Sequence, residues 1–287
     1  MSILIAGCGY LGTQIALSSE NRKLGYTALS LSGKVSAQLS GEILRCDLSD
    51  LDAVKKISHT IAPPSHIIQC ASSNHGGPDA YRSIYLQGAR NLLACFPTSP
   101  LFFTSSTSVY AQTDGSLIDE NSPAEPTQET SQILRQTEDV VLAHSGTVLR
   151  LSGIYGPHRC LYLKRLLQHN ATIHPDSAHR YLNQIHRDDA ATAILHLLAL
   201  PQAQVAQQIF NISDDNNWTQ QQCYQQLAHK LKLPAPPLSN TNQARKRAKT
   251  HRRISNQKLT QLGWSPAYPT LLDALDHDPH LLPSFAE

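Results

Sequence analysis

An α/β fold with a doubly wound parallel sheet and a small C-terminal α/β lobe is predicted by two features of the 287-residue sequence. The first is the alternation of short apolar runs with longer amphipathic stretches, which is typical of strands and helices in a parallel sheet. The second is the glycine pattern Gly7-x-Gly9-x-x-Gly12, which directly follows the first apolar run. A chain of this length can form one large domain or a main domain with a smaller lobe, and we expect the second arrangement.

The elements follow in a regular order along the chain. Short apolar runs predict strands at residues 3–6, 27–31, 42–45, 66–70, 101–104 and 147–151. Helical periodicity predicts helices over residues 50–61, 79–95, 130–144, 188–200 and 219–232. We therefore expect a main domain over residues 1–152, completed by about 185–200, and a smaller lobe formed by residues 153–184 and 201–287.

The glycine pattern predicts a site for the phosphates of a dinucleotide. Gly7 permits a tight turn after the strand, Gly9 lets the backbone approach a pyrophosphate, and Gly12 lets the next helix pack on the strand. Because an apolar run precedes the pattern and helix-compatible sequence follows it, the context is that of a Rossmann-like unit. Tyr10 and Leu11 lie within the pattern and are expected to contribute to the same site. The alternative is a glycine-rich turn that binds nothing.

Composition excludes several classes of function. A formal net charge of +2 with 16% charged residues gives no global attraction to nucleic acid or to a membrane surface. The basic run at residues 245–253 contains no aromatic residue that would stack on bases, so a solvated segment or a small phosphate site is favoured over nucleic-acid binding. The six scattered cysteines have no metal-ligand spacing and indicate reduced thiols, a cytoplasmic protein and no metal site. No run of 18 apolar residues predicts a membrane span.

Further motifs, in chain order, resemble those of the extended short-chain dehydrogenase/reductase superfamily, in its NAD-dependent epimerase/dehydratase group. They are Cys46-Asp-Leu48, Gln69-Cys-Ala-Ser72, Leu86-Gln-Gly-Ala-Arg-Asn91, Thr104-Ser-Ser-Thr-Ser-Val-Tyr110, Asp119-Glu120…Pro123, Leu149-Arg-Leu-Ser-Gly-Ile-Tyr-Gly-Pro157, Ile185-His-Arg-Asp-Asp189 and, near the C-terminus, Arg253-Ile-Ser-Asn…Leu262-Gly-Trp264 with Tyr268-Pro269. The last two segments resemble the tail of an atypical subgroup. The match extends over nearly the whole chain, and its strength lies in the order of the motifs.

The resemblance implies roles for particular residues. Asp47 and Leu48 would lie at the adenine, and Cys70, Ala71 and Ser72 would line the cofactor ribose. The substrate would be contacted by four side chains, namely Tyr110, Tyr155, Arg159 and His186. Ser106 matches the active-site serine, which hydrogen-bonds to the reacting oxygen, although a serine that only caps its loop is an equal alternative. The resemblance also implies a small-molecule substrate and allows a homodimer.

The first departure from the family pattern concerns its catalytic Tyr-x-x-x-Lys dyad. That dyad would fall near Thr130-Ser-Gln-Ile-Leu-Arg135, and the sequence has no tyrosine between Tyr110 and Tyr155. Thr130 or Ser131 is a much poorer acid than a phenol, and Arg135 does not accept a proton. Arg135 remains a candidate for holding the cofactor ribose or an anionic substrate.

The second departure concerns the choice of cofactor. An acid roughly twenty residues after the glycine motif would bind the adenosine ribose hydroxyls, whereas a basic residue would accept a 2′-phosphate. Residues 29–36 contain no acid, and Ser30, Ser32 and Lys34 lie in this segment. This weakly favours NADP over NAD, while an ordinary solvated lysine is the favoured interpretation of Lys34 itself.

The function predicted from the sequence is an NAD(P)-dependent oxidoreductase, epimerase or dehydratase that acts on a sugar-like or other small polar molecule. Its proton donor would then be a bound water or one of four side chains, Tyr110, Glu120, Tyr155 or His186. The alternative from a different class is a non-catalytic dinucleotide-binding protein that reports redox state to a partner. Turnover with bound cofactor distinguishes the two.

Overall fold

The computed structural model of the chain describes residues 2–33, 39–73, 76–214, 216–239 and 250–285. The strands are β1 (Ser2–Ala6), β2 (Gly25–Ser30), β3 (Glu42–Arg45), β4 (His66–Gln69), β5 (Leu101–Ser106), β6 (Leu117–Ile118), β7 (Thr147–Leu151), β8 (Gly153–Tyr155), β9 (Gln184–His186), β10 (Ile209–Ile212) and β11 (Arg253–Ile254). The helices are α1 (Tyr10–Asn21), α2 (Leu51–Thr60), α3 (Pro78–Tyr81), α4 (Gly88–Cys95), α5 (Glu129–Ala143), α6 (Leu161–Leu167), α7 (Pro175–Ala178), α8 (Arg187–Ala199), α9 (Gln202–Val205), α10 (Gln220–Leu231), α11 (Gln257–Gln261) and α12 (Leu271–His277). A π-helical turn (Arg82–Gln87) joins α3 to α4, and 3₁₀ turns occur at Thr107–Val109 and Pro283–Phe285.

Seven strands form one sheet in the order β10-β7-β5-β4-β1-β2-β3. The pairs from β3 to β7 are parallel. Backbone N–H groups of Val148 and Ser152 donate to Gln208 and Ile212, an equal step along both strands, so β10 is parallel too. Such a sheet is covered on both faces, which explains why Ile3, Leu4 and Ile5 of β1 are all fully buried.

The strand order reverses direction between β1 and β4. From β1 the chain moves outward to β2 and β3, then returns to β4 on the other side of β1 and continues to β5 and β7. In open α/β sheets the crevice outside the carboxyl ends of the strands at such a switch point is where ligands bind. A ligand-binding site is therefore expected at the segments that follow β1 and β4.

The predicted α/β class and doubly wound sheet are confirmed. Each of the six predicted strands is present with bounds shifted by two residues or fewer. One prediction of the organisation is wrong, because residues 209–212, expected in the smaller lobe, form β10 at the edge of the main sheet. Its short apolar run follows the loop after α9 and carries no glycine motif or other sequence signal of its own.

The chain divides into two compact units. The first comprises residues 1–110, 123–151 and 190–210, and the second comprises residues 111–122, 152–189 and 211–287. Relative to the predicted boundaries, residues 111–122 and 185–189 belong to the second unit and residues 201–210 to the first. The basic run at 245–253 lies outside the described residues as far as Lys249, so its expected role stays a prediction.

The second unit has its own apolar core. Helices α6, α10 and α12 pack together, and Leu163, Leu227 and Leu271 are buried between them. Capping boxes begin α10 at Thr219 and α12 at Thr270, because each threonine side chain accepts from the N3 backbone while the N3 side chain accepts from the cap. Parallel pairs β6–β11 and β8–β9 complete the unit.

Within the described part of the chain, no helix is both long enough and apolar enough to pass through a bilayer.

Candidate functional site

The glycine loop between β1 and α1 divides into two packing glycines and one open glycine. A Cβ built on Gly7 would lie 2.2 Å from Ala71 N, and one built on Gly12 would lie 2.1 Å from Gly7 O. Gly7 also has φ of +118°, a value that other residues rarely adopt. These two positions require glycine for the strand, the loop and the helix to pack.

Gly9 is different from its neighbours. A Cβ built there would meet no atom within 4 Å. Gly9 is also the N-cap of α1 and therefore provides no capping side chain. A helix N-terminus next to free space favours an anionic group, because the first N–H groups of a helix point out of it and the helix dipole is positive there. The loop therefore fits a pyrophosphate, as the sequence predicts for Gly9. Tyr10 is partly exposed beside this space, whereas Leu11 is buried beneath it.

The loop after β4 is held against the end of β1. Ala6 O accepts hydrogen bonds from the backbone N–H groups of Cys70 and Ala71 at 2.9 and 3.0 Å. Cys70 Sγ donates to Gly7 O at 3.2 Å. Cys70 is buried, and burial raises the pKa of its thiol well above the usual range. Ala71 and Ser72, which were expected at the cofactor ribose, are thus beside the glycine loop, with Ser72 exposed.

The turn after β3 is fixed by the helix that follows β4. Asn91 Nδ2 donates to Leu48 O at 2.8 Å, and Leu48 itself is buried. Asp47 is exposed, and its Oδ1 accepts from both the backbone N–H and the hydroxyl of Ser49. Asp47 Oδ1 is therefore held in one orientation at the carboxyl end of β3, the edge at which Gly7 follows β1.

The carboxyl ends of β2 and β3 carry hydroxyl and guanidinium groups. Ser30 Oγ lies 3.3 Å from Ser32 Oγ, and Ser30 is paired with Arg45 in the sheet. A Cβ built on Gly33 would lie 3.3 Å from Arg45 Cβ, so the Ser30–Gly33 turn folds over the arginine stem. Arg45 was not predicted from the sequence; its place as the last residue of a strand, ahead of Cys46-Asp47, was the available signal. Lys34 lies outside the described residues.

Three serine hydroxyls lie close together where the start of α5 meets the end of β5 and the 3₁₀ turn that follows it. Ser131 Oγ donates to Ser108 Oγ at 3.1 Å, and Ser106 Oγ accepts from Ser108 N at 3.1 Å. We call Ser106, Ser108 and Ser131 the hydroxyl cluster. Ser131 is four residues before Arg135, so the pair has the spacing of the family dyad on one helix face. The expected capping alternative for Ser106 is present, because its side chain caps the 3₁₀ turn.

Arg135 is turned along its own helix. Its guanidinium lies 2.6 Å from Asp139 Oδ1 and 3.6 Å from Glu138 Oε2. One third of the side chain is exposed. The contacts of Arg135 therefore anchor it to α5 and leave part of it open to solvent.

A buried ion pair lies one turn further along α5. Glu138 accepts from Arg150 Nε at 3.0 Å and from Arg150 Nη2 at 2.7 Å, while Arg150 Nη1 donates to Tyr110 Oη at 2.9 Å. Burial opposes the charge of Arg150, but the hydrogen bonds and charge of Glu138 outweigh it and raise the pKa of the guanidinium. Tyr110 is 2% exposed and its ring packs under the guanidinium. Tyr110 thus holds this network together instead of facing a substrate.

The π-helical turn between α3 and α4 has a clear cause. Buried Gln69, at the end of β4, donates through Nε2 to the carbonyl oxygens of Ile84 and Tyr85 at 3.0 and 3.1 Å. Gly88 then donates to Ser83 O, five residues back, instead of closing a regular turn. A Cβ on Gly88 would lie 3.1 Å from Gln69 Nε2, so glycine lets the helix come this close.

The second unit buries two of the expected substrate residues. His186 has no exposed surface; its Nε2 lies 3.2 Å from Asp278 Oδ2, and its Nδ1 accepts from the backbone N–H of Asp188 at 3.3 Å. Burial lowers the pKa of His186 despite the opposing effect of Asp188 and Asp278. Tyr155 is 2% exposed and packs edge-on against His186, and burial raises the pKa of its hydroxyl.

Arg159 and Glu120 are the remaining candidates of the second unit. Arg159 is exposed in the turn after β8, where its backbone bridges Gly156. Glu120 Oε1 accepts from the backbone N–H of Asn211 at 2.7 Å, and burial raises the pKa of this carboxyl. Of the four residues expected to contact a substrate, only Arg159 is therefore on the surface.

All six cysteines are free thiols. In the described ranges, no group of three or more His, Cys, Asp or Glu side chains is arranged to hold a metal ion.

The family model for the NAD dependent epimerase/dehydratase family matches residues 3–213, nearly three quarters of the chain. The chain belongs to the NAD-dependent epimerase/dehydratase family. No curated protein matches it.

Solved structures of this family resemble the chain over its whole length. A candidate NAD-dependent epimerase/dehydratase from Methylobacillus flagellatus is 25% identical, with a TM-score of 0.77 over 100% of this chain and 99% of that one. UDP-glucose 4-epimerase from Thermotoga maritima, solved with UDP-glucose, is 16% identical with a TM-score of 0.82 over the same shares. UDP-glucose 4-epimerase from Thermus thermophilus, solved with NAD, is 17% identical with a TM-score of 0.80 over the same shares. At these two lower identities the likeness concerns the fold.

The family assignment makes two departures of this member more visible. Ser131 and Arg135 have the spacing of the Tyr-x-x-x-Lys dyad, and neither provides a phenol. The segment Leu86–Asn91 resembles a family helix with the pattern Asn-x-x-Gly-Thr-x-Asn, and Tyr85, three residues before Gly88, stands where that pattern has its first asparagine. Tyr85 was not predicted from the sequence, although its place in that pattern was the available signal.

Proposed function

We propose that the protein binds a nicotinamide dinucleotide at the carboxyl edge of its main sheet and uses it as an oxidoreductase, epimerase or dehydratase without a Tyr-Lys dyad. The observation that carries the proposal is the difference among the three glycines. At Gly7 and Gly12 the space that a Cβ would need is occupied by backbone atoms, whereas Gly9 faces open space at the start of α1. Packing alone explains the first two glycines, and a ligand explains the third.

Residues of the first unit would hold the dinucleotide. The N-terminus of α1 with Gly9 and Tyr10 would hold the phosphates, Asp47 and Leu48 the adenine, and the loop from Cys70 to Ser72 the ribose. The bound group would supply the hydride donor or acceptor. Arg135, one third exposed, remains a candidate for the nicotinamide ribose or an anionic substrate.

The edge beside β2 favours NADP over NAD within this proposal. Ser30 and Ser32 form a hydroxyl pair, and Arg45 pairs with Ser30 in the sheet. Residues 29–36 contain no carboxylate that would repel a 2′-phosphate. Arg45 adds a fixed positive charge to this edge of the sheet.

A sugar-like or other small polar molecule is the proposed substrate class. It is supported by the Thermotoga maritima neighbour, which was solved with UDP-glucose. In the second unit, Arg159 is the exposed side chain that we assign to the substrate. Buried Tyr155 and His186 are left out of this assignment, as is Tyr110 of the first unit.

A redox sensor is the second candidate. The hydroxyl cluster favours it, because a serine at the position of the dyad tyrosine suits a protein that binds the dinucleotide without turning it over. Turnover of bound cofactor distinguishes this candidate from the enzyme.

The test is a fluorescence titration of Gly9→Val with NADPH and NADH. A valine side chain would occupy the open space at Gly9, so we expect the Kd for both dinucleotides to rise at least about a hundredfold with an unchanged Tm. Gly77→Val is a matched control, because Gly77 also faces open space but caps α3. Equal dinucleotide affinity in Gly9→Val and wild type would overturn the proposal. Tighter wild-type binding of NADH than of NADPH would overturn the NADP preference alone.

A further inference from the structure

Tyr85 lies at the edge of the sheet where the proposed cofactor site is. Its hydroxyl accepts a hydrogen bond from the backbone N–H of Ser73 at 3.3 Å. Ser73 follows Ala71 and Ser72, and Ala71 N lies 2.2 Å from where a Cβ of Gly7 would be. The phenol is therefore attached to the same loop that packs on the glycine motif.

The π-helical turn sets the direction of this side chain. Gln69 binds the carbonyl oxygens of Ile84 and Tyr85, and this interrupts the regular helix ladder at the position of the tyrosine. π-helical turns of this kind occur often at functional sites, since they re-aim one side chain at a cost in helix regularity. A buried polar side chain thus fixes the backbone from which the phenol projects.

Ring contacts fix the phenol further. The Tyr85 ring packs edge-on against Phe103 of β5 and against Tyr81, with centroid distances of 6.2 and 4.9 Å. Phe103 is three residues before Ser106 on the same strand. The turn also packs against α5, the helix that carries Ser131 and Arg135.

The hydroxyl of Tyr85 can still donate its proton. Because Ser73 N–H donates to Tyr85 Oη, a lone pair of the oxygen is used and the phenol proton is left for another acceptor. Across the part of the chain that the structure describes, Tyr85 has no acceptor for that proton. Among the charged side chains of the turn and of α5, Arg82 pairs with Glu129 at 2.8 Å and Arg135 pairs with Asp139.

We propose that Tyr85 is the proton donor that replaces the missing dyad tyrosine. The inference rests on the proposed function, which supplies the dinucleotide. In the reductive direction, the carbonyl carbon of the substrate receives a hydride from the reduced nicotinamide. The carbonyl oxygen takes the proton of Tyr85 Oη, and the C=O double bond becomes the C–O single bond of an alcohol. The phenolate that remains recovers a proton from water, and the reverse steps oxidise an alcohol.

The first experiment asks whether Tyr85 touches the cofactor, without requiring turnover. The protein is labelled with carbon-13 at the Cζ of tyrosine, and the Tyr85 signal is identified by its loss in Tyr85→Phe. NADP⁺ and NAD⁺ are then titrated separately. We expect the Tyr85 signal to move as the dinucleotide that binds more tightly saturates the protein. If either dinucleotide binds and this signal stays in place, the inference is wrong while the proposed function stands. If neither dinucleotide binds, the proposed function is wrong as well.

The second experiment measures the chemistry. Reduction of 9,10-phenanthrenequinone and epimerisation of UDP-glucose are assayed with NADPH, NADH or NAD⁺ in wild type, Tyr85→Phe and Tyr81→Phe. We expect Tyr85→Phe to lower kcat about a hundredfold or more, with KM and dinucleotide Kd changed less than about threefold. Tyr81→Phe is the matched control, one helical turn away, and should keep its kcat. An unchanged kcat in Tyr85→Phe would overturn the inference, and so would dinucleotide binding without turnover of either probe, which favours the sensor.

Discussion

The hydroxyl cluster of the first unit and the His186–Asp278 pair of the second contain residue types that serve acid–base chemistry, but they differ in access and in bonding. Ser106 and Ser108 of the cluster are partly or fully exposed at the carboxyl edge of the sheet. His186 is completely buried, and both of its ring nitrogens are used by the protein. A histidine beside an aspartate is the better acid–base couple by residue type. In this fold the burial of that pair makes it a part of the core, whereas the more exposed hydroxyl cluster contains only serine hydroxyls, which are very weak acids.

The largest effect expected from this comparison is on stability. His186→Ala would open a cavity between the rings of Tyr155 and Tyr268 and remove the partner of buried Asp278. We expect the free energy of unfolding to fall by about 3 kcal/mol. Denaturant unfolding measures it. The control is His280→Ala, which removes an exposed ring and leaves the His280 backbone N–H bound to Asp278. A loss of dinucleotide binding in His186→Ala with no loss of stability would contradict the assignment of the His186–Asp278 pair to the core.

Acidification should produce a smaller effect with a defined sign. The folded pKa of His186 lies below its ordinary value of 6.5 because of burial, so the unfolded chain binds a proton more readily. The stability that His186 contributes is therefore present above about pH 6.5 and is lost as the pH falls below it. Between about pH 7.5 and about pH 5.5 we therefore expect the free energy of unfolding to decrease. The slope should be shallower in His186→Gln, and an equal slope in both proteins would contradict the interpretation.

The smallest effect is expected at the hydroxyl cluster. Ser131→Ala removes a hydroxyl that donates only to exposed Ser108, so the free energy of unfolding should change by about 0.5–1 kcal/mol. In any activity found, kcat should change less than about threefold, because an aliphatic hydroxyl is a poor proton donor near neutral pH. Thr130→Ala is the matched control on the same turn of α5. A fall in kcat of several orders of magnitude in Ser131→Ala would show serine chemistry at this position and would count against Tyr85.

The sequence predicted the sheet better than it predicted the site. Apolar runs such as residues 3–6 and 147–151 became buried strands because period and composition are local properties. The glycine pattern identified the loop and a separate role for each glycine, but it could not show which atoms meet them, because the contacts of Ala71 with Gly7 depend on a strand more than sixty residues away. Burial of Tyr155 and His186 was also beyond the sequence, since it depends on how distant segments of the second unit pack.

Two further features, a buried ion-pair network and the π-helical turn, were not predicted because each depends on a contact between distant segments. Arg150 and Glu138 are separated by eleven residues and lie on a strand and a helix, so their pairing with Tyr110 has no sequence period. The π-helical turn has a normal helical pattern in sequence; only the approach of Gln69 from β4 shows that the ladder is interrupted. Residue type is therefore a weak guide to chemistry here until the neighbours of each side chain are known.

The contacts of that π-helical turn depend on one extra residue in the helix. A turn with bonds five residues back contains one residue more than a regular α-helix would. Deleting a single residue between Arg82 and Ile84 would let the helix close normally, and every side chain on the N-terminal side of the deletion would rotate by about 100° relative to α4. Tyr81 would then move out of its contact with Tyr85, and Gln69 would lose its two carbonyl partners. A homologue with a one-residue gap in this segment would accordingly not need the glutamine of β4, so the extra residue and this glutamine should be gained or lost together.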